Sequence, residues 1–434
     1  MRSIIIVFFT AISMHACAQS SWNMQQCMQY AVEHNHDVKC AELDLDNYKA
    51  SRTGAIGSFL PEVDASTGIQ YNFGRAINPN TNIYTDVNTF SNGYSVNTSL
   101  SVFDGFNRLY ALKAAKAGVL MGRHALRLQQ DQAALNVLTA FTNVAYYERM
   151  VEMAAEKLEE TTLLLKQTRL MEEVGRKSLT DVALVESQQA EANYELTRQQ
   201  NLYASALLEL KKEMAFPIDD SLAIEVGVGN ACLVEIPHQG YSQEHSDLQK
   251  THYQMLSSKH EWYRARASLY PSISMNAGIS TNYNKDLHDK DAISFNRMFK
   301  SNLGEYVSAS LTIPLFNRLQ TLTNIRKAKN NYIKARETYE QKQLELEKLS
   351  REAWQDWLAY QKQTRQMEKK VEADSLSYQL MRRKYEEGLS NPIEVHTTSV
   401  QLLNSKATLV QCQLMAMVKE QLVRYYKGEK IWIE

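Results

Sequence analysis

The chain has 434 residues, of which 48 are basic and 49 acidic, for a net charge of −1. That balance leaves neither the positive field that draws nucleic acid nor a polybasic arm for a membrane surface. Only 7 Pro and 16 Gly favour long uninterrupted elements, and no internal stretch reaches the roughly 18 apolar residues of a membrane helix.

The N-terminus reads as an export signal over residues 1–18. Arg2 precedes the apolar run Ile4 to Ile12, and Ala16-Cys17-Ala18 has the small-residue form of a cleavage site. The mature chain would then start at Gln19. The rival reading is a lipid on Cys17, although Met14 and His15 fit a lipoprotein box poorly. Either way the protein is exported.

A first helix is expected from about Asn23 to Ser58. It holds Cys27, His34, His36 and Cys40, residue types that ligate metals. His34 and Cys40 are six positions apart and share a helix face poorly, so the four are read as ordinary helix positions and no metal site is expected. Cys27, Cys40, Cys232 and Cys412 in a chain of this length do not make a disulfide scaffold.

Two strands follow, over about 61–74 and 92–104. In the first, Val63, Ala65, Thr67, Ile69, Tyr71 and Phe73 alternate with Asp64, Ser66, Gly68, Gln70 and Asn72. In the second, Tyr94, Val96, Thr98, Leu100 and Val102 alternate with Ser95, Asn97, Ser99 and Ser101. A period of two with one apolar face is the strand pattern. A very long helix is expected over about 107–173, then a polar break at Gly175, then a helix over about 179–214. The segment 216–240 is a connector rich in Gly, Pro and acidic residues.

The same order then returns. A helix over about 243–268 leads to strands over about 271–284 and 304–315. Ile273, Met275, Ala277 and Ile279 oppose Ser274, Asn276, Gly278 and Ser280, and Val307, Ala309, Leu311 and Ile313 oppose Ser308, Ser310 and Thr312. A second long helix over about 319–387 reaches Gly388, and a helix over about 392–427 closes the chain. Leu60-Pro61 and Tyr270-Pro271 are 210 positions apart, and Gly175 and Gly388 are 213 apart. The chain is therefore two tandem repeats, 19–215 and 241–434.

Two soluble hairpins with one wet face would satisfy the alternation. Three features favour membrane strands instead. Each segment has about the length of a tilted transmembrane strand. The polar parity is small and, Asp64 apart, uncharged. Aromatic residues gather near the strand ends, where a membrane girdle belongs. Four strands cannot close a barrel, and an open edge is not tolerated in lipid, so the missing strands must come from other copies. Each long helix, nearly 70 residues, would run about 100 Å. The helices over 23–58 and 179–214 together have about that length and could stack end to end beside one. The fold class is mainly α with a membrane β-barrel portion, each repeat supplying two β-strands and long coiled-coil helices.

This ordered set resembles the TolC-like outer-membrane efflux proteins over essentially all of the mature chain. The strand-to-helix corner appears as Pro314-Leu315-Phe316-Asn317, and in looser form as Ser101-Val102-Phe103-Asp104-Gly105. The periplasmic turn appears as Val174-Gly175 with Asp181-Val182, and as Glu387-Gly388 with Glu394-Val395. The resemblance implies a homotrimer with a 12-stranded β-barrel in the outer membrane and an α-helical tunnel in the periplasm. It implies the exit duct of a tripartite efflux or type I secretion system, with no cofactor and no catalysis. The partners would be a periplasmic adaptor (a membrane fusion protein) and an inner-membrane pump of RND or ABC type.

The resemblance also implies a gate at the helix turns. A hydrogen bond of the closed entrance maps onto Tyr385 and Asp181. A second link maps onto Thr180 and onto Ser390, where the family has Arg. The acidic constriction ring maps onto Glu394 and Thr397. Adaptor contact maps onto Val174, Gly175, Gly388 and Leu389, with Arg176-Lys177 departing from the apolar pattern there. The competing reading is a structural or adhesive coiled-coil envelope protein without a conducting lumen, which leaves the polar strand parity without a purpose. No nucleophile elbow, phosphate loop or metal-spaced cluster points to an enzyme.

Overall fold

The computed structural model describes residues 21–77, 82–86, 88–225, 240–287 and 293–432. The expected export signal, Cys17, Cys232 and most of the connector lie outside the described residues. In chain order the elements are α1 (Met24–His34), α2 (His36–Gly57), β1 (Glu62–Asn72), β2 (Arg75–Ile77), β3 (Tyr84–Asp86), β4 (Thr89–Phe103), α3 (Asn107–Glu173) and α4 (Leu179–Met214). The second half adds α5 (Ser246–Ala267), β5 (Ser272–Asp286), α6 (Phe295–Ser301), β6 (Gly304–Thr312), α7 (Gln320–Glu386) and α8 (Pro392–Tyr426). α3 and α7 have 67 residues each.

Two compact units are present, and each draws on both repeats. One gathers the described residues up to Ala41, those between Leu126 and His245 and those from Leu344 on. The other gathers Glu42–Ala125 and Ser246–Gln343.

The first unit is helical. Cys27, Met28 and Ala31 of α1 pack with Val137, Leu138, Phe141 and Val144 of α3 and with Leu210 and Met214 of α4. Burial pushes the Cys27 thiol up to about 12, so it sits in the core as a neutral, small apolar group. Of the other residues in that set, His34 stacks on Tyr30 at 4.0 Å, and Cys40 is exposed. Among the described residues no group of three His, Cys, Asp or Glu is placed to hold a metal. A second core forms where Trp357 and Ala353 of α7 meet Val423 of α8.

The expected single helix over 23–58 is interrupted at Asn35, whose backbone is extended at φ −59° and ψ 134°. Its side chain accounts for the break. The amide oxygen accepts from Asp37 N at 2.8 Å and the amide nitrogen donates to Glu213 O at 3.1 Å. A short polar side chain that satisfies backbone groups itself competes with helix continuation.

The second unit holds a four-stranded antiparallel sheet in the order β1-β4-β5-β6. Its central pair joins the repeats, with Val96 opposite Ile279 and Thr98 opposite Ala277. One face carries the apolar parity: Val63, Thr98, Ala277 and Val307 form a continuous row across all four strands. The other face carries small polar groups. Ser66 and Ser95 meet hydroxyl to hydroxyl at 2.8 Å, as do Ser274 and Ser310. Tyr306 crosses this polar face to donate to Asn97 Oδ1 at 3.2 Å. It lies over Gly278, where a Cβ would stand 2.6 Å from the ring. The outer strands β1 and β6 are exposed along nearly their whole length.

Two elements lie in the stretches between the expected strands. One is the β2–β3 hairpin. The other is α6, which packs on β5: Thr281 Oγ1 donates to Phe299 O at 2.6 Å, and Met298 is buried. Seven residues are too few to show a helical period against their flanks, so α6 had no legible signal.

The strand-to-helix corners repeat one device. Gly105 and Phe106 have φ of 66° and 71°, and Arg318 and Leu319, 213 positions later, have φ of 55° and 62°. Before each pair an acidic or amide side chain caps the following helix. Asp104 Oδ2 accepts from Arg108 N at 3.1 Å, and Asn317 Oδ1 accepts from Thr321 N at 3.3 Å. Arg108 also pairs with Asp104 at 2.9 Å and donates to Ser58 O at 3.0 Å, pinning the end of α2 to the corner.

Candidate functional site at the paired helix turns

α3 ends at a turn closed by Gly175 at φ 75°, and α7 ends at a turn closed by Gly388 at φ 80°. In the first, Arg176 N donates to Met171 O at 2.8 Å; in the second, Leu389 N donates to Lys384 O at 2.8 Å. These six-residue closures satisfy the last carbonyls of a helix and place the glycine in the left-handed region. A Cβ at either glycine would meet nothing within 4 Å, so backbone conformation and not space asks for glycine.

The next helix starts the same way in both turns. Ser178 caps α4 and Asn391 caps α8, with Pro392 in the first turn of α8. Asp181 and Glu394 are the third residues of their helices. Asp181 accepts from Ser178 N at 3.0 Å and from Ser178 Oγ at 2.9 Å. Those bonds, the backbone one first, hold its carboxyl below the usual carboxylate range. Glu394 N donates to Asn391 Oδ1 at 2.9 Å, and its carboxylate accepts from Ser390 Oγ at 2.6 Å.

Between the turns lies a small core of Leu164, Leu165, Val185, Val395 and Tyr385, flanked by Val182, Tyr378 and Met381. Tyr385 is 0% exposed. Burial raises its pKa, and the nearby Asp181 charge adds to this against the pull of Thr168. Its hydroxyl lies 2.8 Å from Thr168 Oγ1. Thr168 already donates to Leu164 O at 2.8 Å, so the tyrosine is the donor of the pair.

The expected hydrogen bond between Asp181 and Tyr385 is not formed. Asp181 is occupied by its own helix cap and Tyr385 by Thr168. The expected Thr180–Ser390 link is not formed either: Thr180 is exposed, and Ser390 Oγ bonds Glu394 within its own turn. Val174 and Leu389 are exposed at 71% and 75%.

A bridge between the turns exists, but through another residue. Lys177 Nζ donates to Ser390 O at 3.1 Å and stands 4.2 Å from the centroid of the Tyr385 ring. The repeat spacing could have found it. Lys177 and Ser390 are 213 positions apart, so the cation absent from the second turn is present at its equivalent in the first. No sequence signal distinguished Thr168 from its neighbours.

Farther along the helices, lysines at equivalent positions reach the same helix. Lys157 of α3 donates to Ser399 of α8, and Lys370 of α7 donates to Ser405 of α8 at 2.5 Å and pairs with Asp374 at 2.6 Å. Lys370, followed by Ser405 and Gln401, holds Asp374 below the usual carboxylate range.

The profile of the outer membrane efflux protein family matches residues 27–215 and 240–424. TtgC of Pseudomonas putida, a probable efflux pump outer membrane protein, is 24% identical over 441 aligned positions, covering 95% of this chain and 85% of the relative. The fold is that of the Campylobacter jejuni CmeC outer membrane channel, with a TM-score of 0.82 at 16% identity over 94% of this chain and 87% of that one. The outer membrane protein VceC of Vibrio cholerae gives 0.80 at 14% identity over 94% and 96%. The profile spans both repeats, and the chain belongs to the outer membrane efflux protein family.

Proposed function

We propose that this chain is the outer-membrane exit duct of a tripartite efflux or type I secretion system. One observation carries the reading: a sheet with one apolar face ends on two exposed outer strands, β1 from the first repeat and β6 from the second. An open sheet edge has no stable place in lipid. Joining β1 of one copy to β6 of the next removes every edge, and three copies give a 12-stranded barrel. The apolar row then meets outer-membrane lipid, and the serine and asparagine face lines the lumen. The helices would form the periplasmic tunnel. The homotrimer is a passive channel, opened when a periplasmic adaptor and an inner-membrane pump of RND or ABC type engage the turns.

In this reading Val174, Gly175, Gly388 and Leu389 contact the adaptor. Asp181, Thr180, Tyr385, Ser390 and Glu394 surround the entrance, and three copies of Glu394 form a modest cation-selective ring. The test is the native mass of the protein extracted from outer membranes in mild detergent, against its mass after boiling. A complex of three protomers confined to the outer-membrane fraction is expected. A soluble periplasmic monomer or dimer would overturn the duct.

A further inference from the structure

We infer that Lys177 is the clasp that holds the two helix turns of each protomer together, and so sets how readily the entrance opens. The inference rests on the duct reading and deepens it. Lys177 leaves the first turn two residues after Gly175 and makes both of its contacts with the second repeat: the Ser390 carbonyl at 3.1 Å and the Tyr385 ring at 4.2 Å. The carbonyl belongs to the residue just before the helix cap of α8, so the bond grips the turn by its backbone. The ring belongs to the buried core between the turns and is itself anchored to α3 through Thr168.

The chemistry suits a clasp better than a fixed strut. An ammonium over an aromatic face is held by electrostatics over a range of positions and needs no carboxylate partner. The neighbouring carboxylates spend their hydrogen bonds elsewhere, Asp181 on Ser178 and Glu394 on Ser390, and Asp181 meets Lys177 only through its charge. When the turns part, Lys177 exchanges a carbonyl and a ring for water, a modest loss, so closed and open turns stay within reach of each other. A partner that binds the parted form can then shift the population.

The test compares the wild-type protein with Lys177→Met, which keeps the apolar stem, and Lys177→Arg, which keeps the charge and donor. Single-channel recording in planar bilayers reads the entrance, and hydrogen exchange followed by mass spectrometry reads the amides of both turns. Lys177→Met is expected to raise the open fraction about fivefold, the size of one cation–π contact, and to speed exchange at both turns, while Lys177→Arg stays near wild type. Wild-type conductance and exchange in Lys177→Met would overturn the clasp. Equal rises in both variants would also overturn it, because the charge would then not be what holds the turns. If exchange rises only in Lys177→Met but the protein extracts as a soluble monomer, the clasp stands and the duct reading fails.

Discussion

Thr168 and Tyr385 show what single side chains do at the turns. The tyrosine hydroxyl donates to a threonine oxygen whose own proton is already committed to the helix carbonyl behind it. The order of the donors makes an asymmetric prediction. Tyr385→Phe removes donor and need together and should cost about 1 kcal/mol. Thr168→Val strands a buried donor and should cost about 1–3 kcal/mol. Adding Tyr385→Phe to Thr168→Val should then recover part of that loss, a result seen in denaturant midpoints of the detergent-solubilised protein. Midpoints that simply add would show that the two hydroxyls are independent. Asp181 teaches the complementary lesson. The family resemblance singled it out, six residues after a turn glycine, but not its partner, because a carboxylate at the third position of a helix has a strong local use in the cap.

At the scale of elements, alternation and helical period located the four long strands and the long helices, since both patterns run far enough to outvote single residues. Short or locally decided features were not legible. Asn35 breaks a helix through bonds to Asp37 and Glu213, the second of which is far away in sequence. α6 and the β2–β3 hairpin are too short for any period. Backbone demands sit between these extremes. Gly105 has φ 66° and a Cβ there would stand 2.4 Å from Ala267 O, whereas Gly175 has φ 75° in open space. Gly105→Ala should therefore cost about 2–3 kcal/mol, from both strain and clash, and Gly175→Ala about 1 kcal/mol, from strain alone. Equal losses in thermal unfolding would remove the close approach from the account.

For the whole molecule, the sheet divides its two faces between two solvents. Val307 and Ser308 are neighbours on β6, both exposed, and point to opposite faces. Val307→Lys should weaken insertion by about 2–4 kcal/mol, the cost of a lipid-facing cation near mid-membrane. Ser308→Lys should be tolerated. The fraction of heat-resistant oligomer in the outer membrane measures both, and equal effects would mean that the faces are not distinguished by lipid. At the far end of the long helices the two turns share a backbone but not a surface: Arg176-Lys177 in one, Leu389-Ser390 in the other. In a closed ring of three chains the six turns therefore alternate between basic, with Arg176 and Lys177, and acidic, with Glu387. A molecule that docks by backbone shape meets six equal seats. One that docks by side chains meets three of one kind and three of another, and the ring loses half its rotational symmetry to anything that can tell a lysine from a serine.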